Sequence, residues 1–117
     1  MDLIIKVIDI KGKCPVYTIG DKIVLKQGYI LDPKETDTLC MHSLTSILPY
    51  YVALSRGIDA KDLGLAREGS KKAYVQCLDP CELTGGGTVR FEISSIPTNS
   101  HTRILSMKTP LGKEDTS

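Results

Sequence analysis

The hydrophobic pattern of the first part of the chain has a period of two. In LIIKVIDI, residues 3–10, the apolar side chains of Leu3, Ile5 and Val7 share one face. This spacing and the β-branched residues are typical of a strand with one buried face. Gly20-Asp21 predicts a tight turn after it. Similar short patterns predict four further strands, at residues 22–25, 28–31, 72–79 and 88–96.

The middle of the chain has a helical period instead. A helix is predicted to begin between Thr36 and Cys40, and Pro49 interrupts it, so we expect two short helices or a kinked one. Gly57 is a signal for the end of the helix, and residues 59–65 predict one more turn. The apolar residues that recur at helical spacing are Leu44, Ile47, Leu48, Tyr51 and Val52.

These elements predict a small α+β domain. The order β-β-α-β-β favours a mostly antiparallel sheet with a Pro-interrupted helical segment. We expect one domain at residues 1–97, since the composition becomes polar and loses its period after Pro97. Residues 98–117 are expected to form a tail that is either flexible or extended along the domain.

Composition narrows the classes of function. The 117 residues carry a net charge of +1, which does not suggest attraction to nucleic acid or to an anionic membrane. No apolar run approaches the roughly 18–20 residues that span a bilayer. The start MDLIIKVIDIKG lacks the basic region of a signal peptide. We therefore expect a cytoplasmic protein whose four cysteines are reduced.

The candidate chemistry lies in cysteines and one histidine at the ends of predicted elements. Element ends from several segments can meet on one side of a small domain. Three cysteines and one histidine form a ligand set that zinc accepts, although the usual C-x-x-C pair is missing. The predicted metal site consists of Cys14, Cys40, His42 and Cys77.

The start of the helix decides whether Cys40 and His42 can act together. Two residues on a helix differ by a rotation of about 200°, so side chains inside it point to opposite faces. If the helix instead begins at Met41, Cys40 is its N-cap and both groups can converge on the helix entrance. The spacing alone leaves both arrangements open.

Three motifs resemble a family of small, uncharacterised archaeal and bacterial proteins, some of them tandemly repeated. The motifs are Cys14-Pro15, Leu39-Cys40-Met41-His42 and Tyr74-Val75-Gln76-Cys77, and the resemblance covers about residues 3–94. The family carries Pro where this chain has Met41, which implies a helix that begins there. Cys81 departs from the pattern. The resemblance implies no activity.

The leading predicted function is a small zinc-binding domain that is catalytic itself or serves a larger enzyme. Two further functions stay open. One is a metal-free enzyme for a small anionic substrate, with Cys40 as the thiolate and His42 as the acid–base group. The other is an interaction module whose thiols only fill space. The binding partner stays open between a small molecule and a larger protein. The residues predicted to line a substrate site are Gly85, Gly86, Gly87 and Tyr51.

Overall fold

The structure is a computed structural model that describes residues 1–98. It contains one five-stranded antiparallel sheet with strand order β3-β2-β1-β5-β4, which confirms the predicted α+β fold. Every predicted strand is present. The strands predicted at residues 28–31 and 72–79 are shorter in the structure than in the prediction. The strands are β1 (Asp2–Gly12), β2 (Lys22–Lys26), β3 (Ile30–Leu31), β4 (Ala73–Gln76) and β5 (Gly87–Ile96).

The two long strands β1 and β5 form the centre of the sheet. They pair in antiparallel register from Asp2 opposite Ile96 to Gly12 opposite Gly87. The register shifts between Val7 and Asp9. Such an irregularity bends a strand and changes the direction of its far end. The end of β1 and the start of β5, which lie beyond the shift, carry the loops of the candidate site.

One face of the sheet forms the core. The alternation predicted in β1 is observed, because Leu3, Ile5 and Val7 are buried. Phe91 of β5 is fully buried among them, so the only phenylalanine of the chain lies at the centre of the domain. The core also includes Ile23, Ile47, Leu54, Ala60, Ala73, Cys77, Val89 and Ile93.

The helical segments are short. The helical pattern gives α1 (Met41–Ile47) and α2 (Tyr51–Ser55), and Pro49 lies between them as predicted. Gly57 follows α2 with a φ of 85°, a conformation that glycine adopts without strain. Residues 59–65 form a 3₁₀ turn at Ala60–Leu63. A further short helix, α3 (Cys81–Thr84), was not predicted.

The described chain ends beside the start of β1. The Thr98 hydroxyl donates a hydrogen bond to Asp2 Oδ1 at 3.0 Å. The predicted tail beyond Thr98 lies outside the described residues. Within residues 1–98, no helix has the length and apolar character needed to cross a membrane.

Candidate functional site

Cys40 lies immediately before α1 and is its N-cap. Its backbone is extended (φ −109°, ψ 130°), and the helix begins at Met41. Of the two arrangements left open by the spacing, the structure therefore has the one in which Cys40 is outside the helix. Among the described residues, the Cys40 side chain has no capping hydrogen bond. Its thiol is thus not the group that stabilises the helix start.

A closed circuit of hydrogen bonds fixes the Cys40 backbone instead. The Cys40 N–H donates to the Tyr17 hydroxyl oxygen at 2.8 Å. The Ser43 hydroxyl donates to the Cys40 carbonyl at 2.6 Å and lies 2.7 Å from the Tyr17 hydroxyl. Because the single Ser43 proton is used on that carbonyl, Tyr17 is the donor to Ser43 Oγ. The circuit thus satisfies both backbone polar groups of Cys40.

Tyr17 reaches this position from the loop between β1 and β2. Its ring is buried and meets the Phe91 ring edge to face, with centroids 5.4 Å apart at 85°. Burial raises the pKa of the Tyr17 hydroxyl above its ordinary value of 10.0. The hydrogen bonds with Ser43 and Cys40 lower the pKa, while negative charge on the Cys40 or Cys14 sulfur raises it.

Cys14 and Cys77 pack against the same core as Tyr17 and Cys40. Cys14 Sγ accepts the Tyr17 N–H at 3.4 Å. Cys77 is only 7% exposed, and its sulfur accepts the Asp79 N–H at 3.5 Å. Three of the four predicted ligands thus pack against one core, and all four cysteines are present as thiols.

The glycine loop between α3 and β5 lies against the backbone of Cys14. A Cβ placed on Gly87 would be 2.7 Å from the Cys14 nitrogen, and the Lys13 N–H donates to the Gly86 carbonyl at 3.0 Å. The N–H of Gly85 donates to the Cys81 carbonyl at 2.9 Å, and that of Gly86 donates to Thr84 Oγ1 at 3.1 Å. These glycines therefore allow a close backbone approach. Their role in substrate binding stays a prediction.

His42 is exposed on the first turn of α1, where its carbonyl accepts the Thr45 hydroxyl at 2.8 Å. Within residues 1–98, no three side chains of His, Cys, Asp or Glu are grouped so that they could hold a metal ion. The zinc site predicted at Cys14, Cys40, His42 and Cys77 therefore stays a prediction.

Tyr51, predicted to line a substrate site, and Cys81 lie on other elements than Cys40. Tyr51, at the start of α2, packs against the core and lines a groove toward β2 and β3. Cys81 begins α3 and lies next to Gly12, since a Cβ on Gly12 would be 3.4 Å from its sulfur. Cys81 therefore belongs to the surface near α3.

Tyr17 and Ser43 are the site residues that the sequence analysis missed. Each of these residues has a signal in the sequence. Tyr17 is an aromatic residue in a polar loop three positions after Cys14, and Ser43 is on the first turn of the predicted helix. A hydroxyl in a helix's first turn commonly bonds to a nearby backbone carbonyl. Their meeting across 26 positions depends on the packing of the loop onto Phe91.

Comparisons of this chain with protein-family models, with curated proteins and with solved structures gave no match. The three motifs therefore carry the family resemblance on their own, and the assignment of a function depends on the geometry around Cys40.

Proposed function

We propose that the protein acts through a metal-free thiol site centred on Cys40, with Cys14 and the Tyr17 hydroxyl as its neighbours. The observation that supports this proposal is that the fold fixes the Cys40 backbone without using its side chain. Ser, Thr, Asp and Asn are the side chains that stabilise a helix start well. A cysteine at this position, held by other residues, keeps its sulfur available for chemistry.

The chemistry that suits this arrangement is substitution at an electrophilic carbon of a small compound: the Cys40 thiol releases its proton to solvent, a sulfur–carbon bond forms, and the bond from that carbon to its leaving group breaks. Cysteine acts as the nucleophile in its thiolate form. Tyr17 holds the Cys40 backbone in place for this reaction, because its hydroxyl accepts the Cys40 N–H and donates to Ser43. The expectation of an anionic substrate depended on N–H groups of the glycine loop that could bind an anion. In the structure the N–H groups of Gly85 and Gly86 already donate hydrogen bonds within the chain. We therefore propose a small electrophile as the substrate and assign no charge to it.

Alkylation of each cysteine by iodoacetamide tests this proposal. The native protein is treated under reducing conditions near neutral pH, and mass spectrometry of peptides gives a rate for each thiol. Cys40 should react fastest, and the buried Cys77 should react slowest. Cys81 is the internal standard, since it is also partly exposed but lies beside Gly12. Equal rates for Cys40 and Cys81 would favour the interaction module, in which the thiols only fill space.

The substitution Cys40→Ser separates chemistry from folding. Serine is a good N-cap residue, so the free energy of unfolding should change by less than about 0.5 kcal/mol. Its hydroxyl stays protonated near neutral pH and is a weak nucleophile, so reaction with the electrophile should be lost. Cys81→Ser is the matched control and should keep the reaction. Retained reactivity in Cys40→Ser would contradict the proposal.

Zinc binding is the second candidate, and one observation favours it. The sulfurs of Cys14 and Cys77 accept backbone N–H groups, as the sulfurs of metal–thiolate centres do. For zinc to bind, these sulfurs and His42 would have to move together from their described positions. Metal analysis of protein purified under reducing conditions tests this candidate. One zinc per chain, lost in both Cys14→Ser and Cys77→Ser, would favour zinc over the metal-free site.

A further inference from the structure

An apolar groove lies between the strands β1, β2 and β3 on one side and the helices α1 and α2 on the other. It has a volume of about 190 Å³. Ile5, Ile23 and Ile47 form its floor and are at most 2% exposed. Leu48 and Tyr29 at its rim are 55% and 68% exposed. The groove is therefore a concave apolar surface with a buried floor and an open mouth, the form that small-molecule sites commonly take.

The lining of the groove carries no charge. Eight of the ten described residues that line it are leucine or isoleucine, and the other two are Tyr29 and Tyr51. A charged ligand would lose its hydration on this surface without an opposite charge to replace the lost water. A neutral and mainly apolar ligand would lose none of these interactions. The lining thus selects against ions of either sign.

The two tyrosines favour a ligand that contains a ring. Tyr29 and Tyr51 each present an aromatic ring to the groove together with a hydroxyl group. Aromatic rings in contact add stability beyond the apolar area that they bury. A phenol hydroxyl can donate or accept a hydrogen bond, so an uncharged polar substituent on the ligand is also accommodated.

The size of the groove suits a small molecule better than a second copy of the chain. A standard protein interface takes about 20–30 residues from each partner. Ten described residues line the groove, and three of them form the buried floor. An apolar cavity of roughly 150 Å³ holds a benzene molecule. The groove therefore has room for one ring with a short substituent.

We propose that this groove binds a neutral small molecule that consists of one aromatic ring and a short uncharged substituent. The ring lies on the buried isoleucines, between the helix α1 and the strands β2 and β3. No cysteine is among the described residues that line the groove, so this binding does not depend on the reaction proposed for Cys40.

Three compounds with the same ring test the charge preference. The compound para-fluorobenzyl alcohol is neutral, whereas near neutral pH para-fluorobenzoate is an anion and para-fluorobenzylamine is a cation. Fluorine NMR of each compound during titration with the full chain gives its Kd. The alcohol should bind at least about tenfold more tightly than either ion. Absence of binding by the alcohol, or an ion that binds as tightly, would overturn the proposal.

Two leucine substitutions test whether the alcohol binds in the groove. Leu48→Asp places a charge at its rim and should raise the Kd of the alcohol about tenfold. Leu83→Asp is the control, since Leu83 is 87% exposed on α3, and it should leave the Kd unchanged. Both residues are exposed, and circular dichroism checks that both variants are folded. Equal Kd values in the two variants would place the compound elsewhere and overturn the proposal.

Sedimentation of the full chain without any compound tests the other occupant of the groove. The native chain and Leu48→Asp should have the same mass at every concentration. A dimer of the native chain that Leu48→Asp dissociates would assign the groove to a second copy and overturn the small-molecule proposal.

Discussion

Tyr17 is the residue on which the geometry of the candidate site most directly depends. Its oxygen accepts the Cys40 N–H and donates to Ser43, while its ring packs edge to face on Phe91. One side chain therefore connects the helix entrance to the centre of the core. The position of Cys40 follows from this connection, since its own thiol makes no capping bond among the described residues.

The substitution Tyr17→Phe should destabilise the protein while it keeps the ring in place. The Cys40 N–H would lose its acceptor, and Ser43 would lose a donor, in a region that is largely buried. A buried polar group without a partner costs about 1–3 kcal/mol in the free energy of unfolding. Urea denaturation measures this change. Tyr29→Phe, at a residue that is 68% exposed, should change it by less than about 0.5 kcal/mol. Equal changes in the two variants would show that the hydroxyl circuit does not stabilise the fold.

The raised pKa of Tyr17 predicts a loss of stability in alkaline solution. Burial, the main cause, favours the neutral hydroxyl in the folded state, so its pKa there exceeds the ordinary value of 10.0. The folded state then holds a proton that the unfolded state has already released. The stabilisation is complete below pH 10 and decreases as the pH rises toward the folded-state pKa.

The measurement is the difference in the free energy of unfolding between the native chain and Tyr17→Phe, because the other titrating groups are common to both. This difference should be constant below about pH 10 and should decrease above it. A difference that grows above that pH would mean that the folded state favours the charged form of Tyr17.

At the scale of elements, glycines allow the end of β1 and the start of β5 to pack closely against each other. Gly12 lies opposite Gly87 in the sheet, and Cβ atoms at Gly87 would collide with backbone atoms of Lys13 and Cys14. Backbone atoms cannot move aside as the end of a flexible side chain can. This contact places Cys14 at its position near Tyr17, so the glycine loop affects the site through packing.

The substitution Gly87→Ala should therefore cost roughly 3 kcal/mol, the upper part of the usual range for overpacking. Gly20→Ala is a control that separates steric collision from backbone strain. Gly20 has a φ of 99° and open space around it, so alanine there should cost about 1–2 kcal/mol through conformation alone. Chemical denaturation gives both values, and iodoacetamide labelling should show a changed rate for Cys14 in Gly87→Ala only. An unchanged Cys14 rate would separate the glycine loop from the site.

The sequence predicted elements best where the periodic pattern was long. Leu3, Ile5 and Val7 identified β1, and Pro49 identified the break between α1 and α2, because each signal is local. The helix α3 was missed since CELT spans only four residues and follows a proline in a loop. Strand β4 was predicted too long, as its end depends on pairing with β5 rather than on its own residues.

At the scale of the whole molecule, three of the thiols of the predicted site pack against one core, and whether they form a site stays a prediction. Cys14, Cys40 and Cys77 pack on the same core because all three follow or precede elements that end there. The positions of the elements that carry them depend on the register shift in β1 and on Tyr17, which are long-range features. The exposure of His42 likewise depends on how α1 packs, which its spacing from Cys40 does not determine.

The complete sheet and core within residues 1–98 predict that the domain folds without the rest of the chain. A chain that ends at Asn99 keeps all five strands and the Thr98 bond to the buried Asp2 carboxylate. It should unfold in a single cooperative transition. Its melting temperature should stay within about 4 °C of that of the full chain, a shift that corresponds to less than about 1 kcal/mol for a domain of this size.

Calorimetry measures this change, and Thr98→Val in the full chain is its control. That variant removes one hydrogen bond to Asp2 but keeps every other residue, so its melting temperature separates the loss of that bond from the loss of residues 100–117. Loss of the cooperative transition in the shortened chain would mean that residues 100–117 belong to the fold itself.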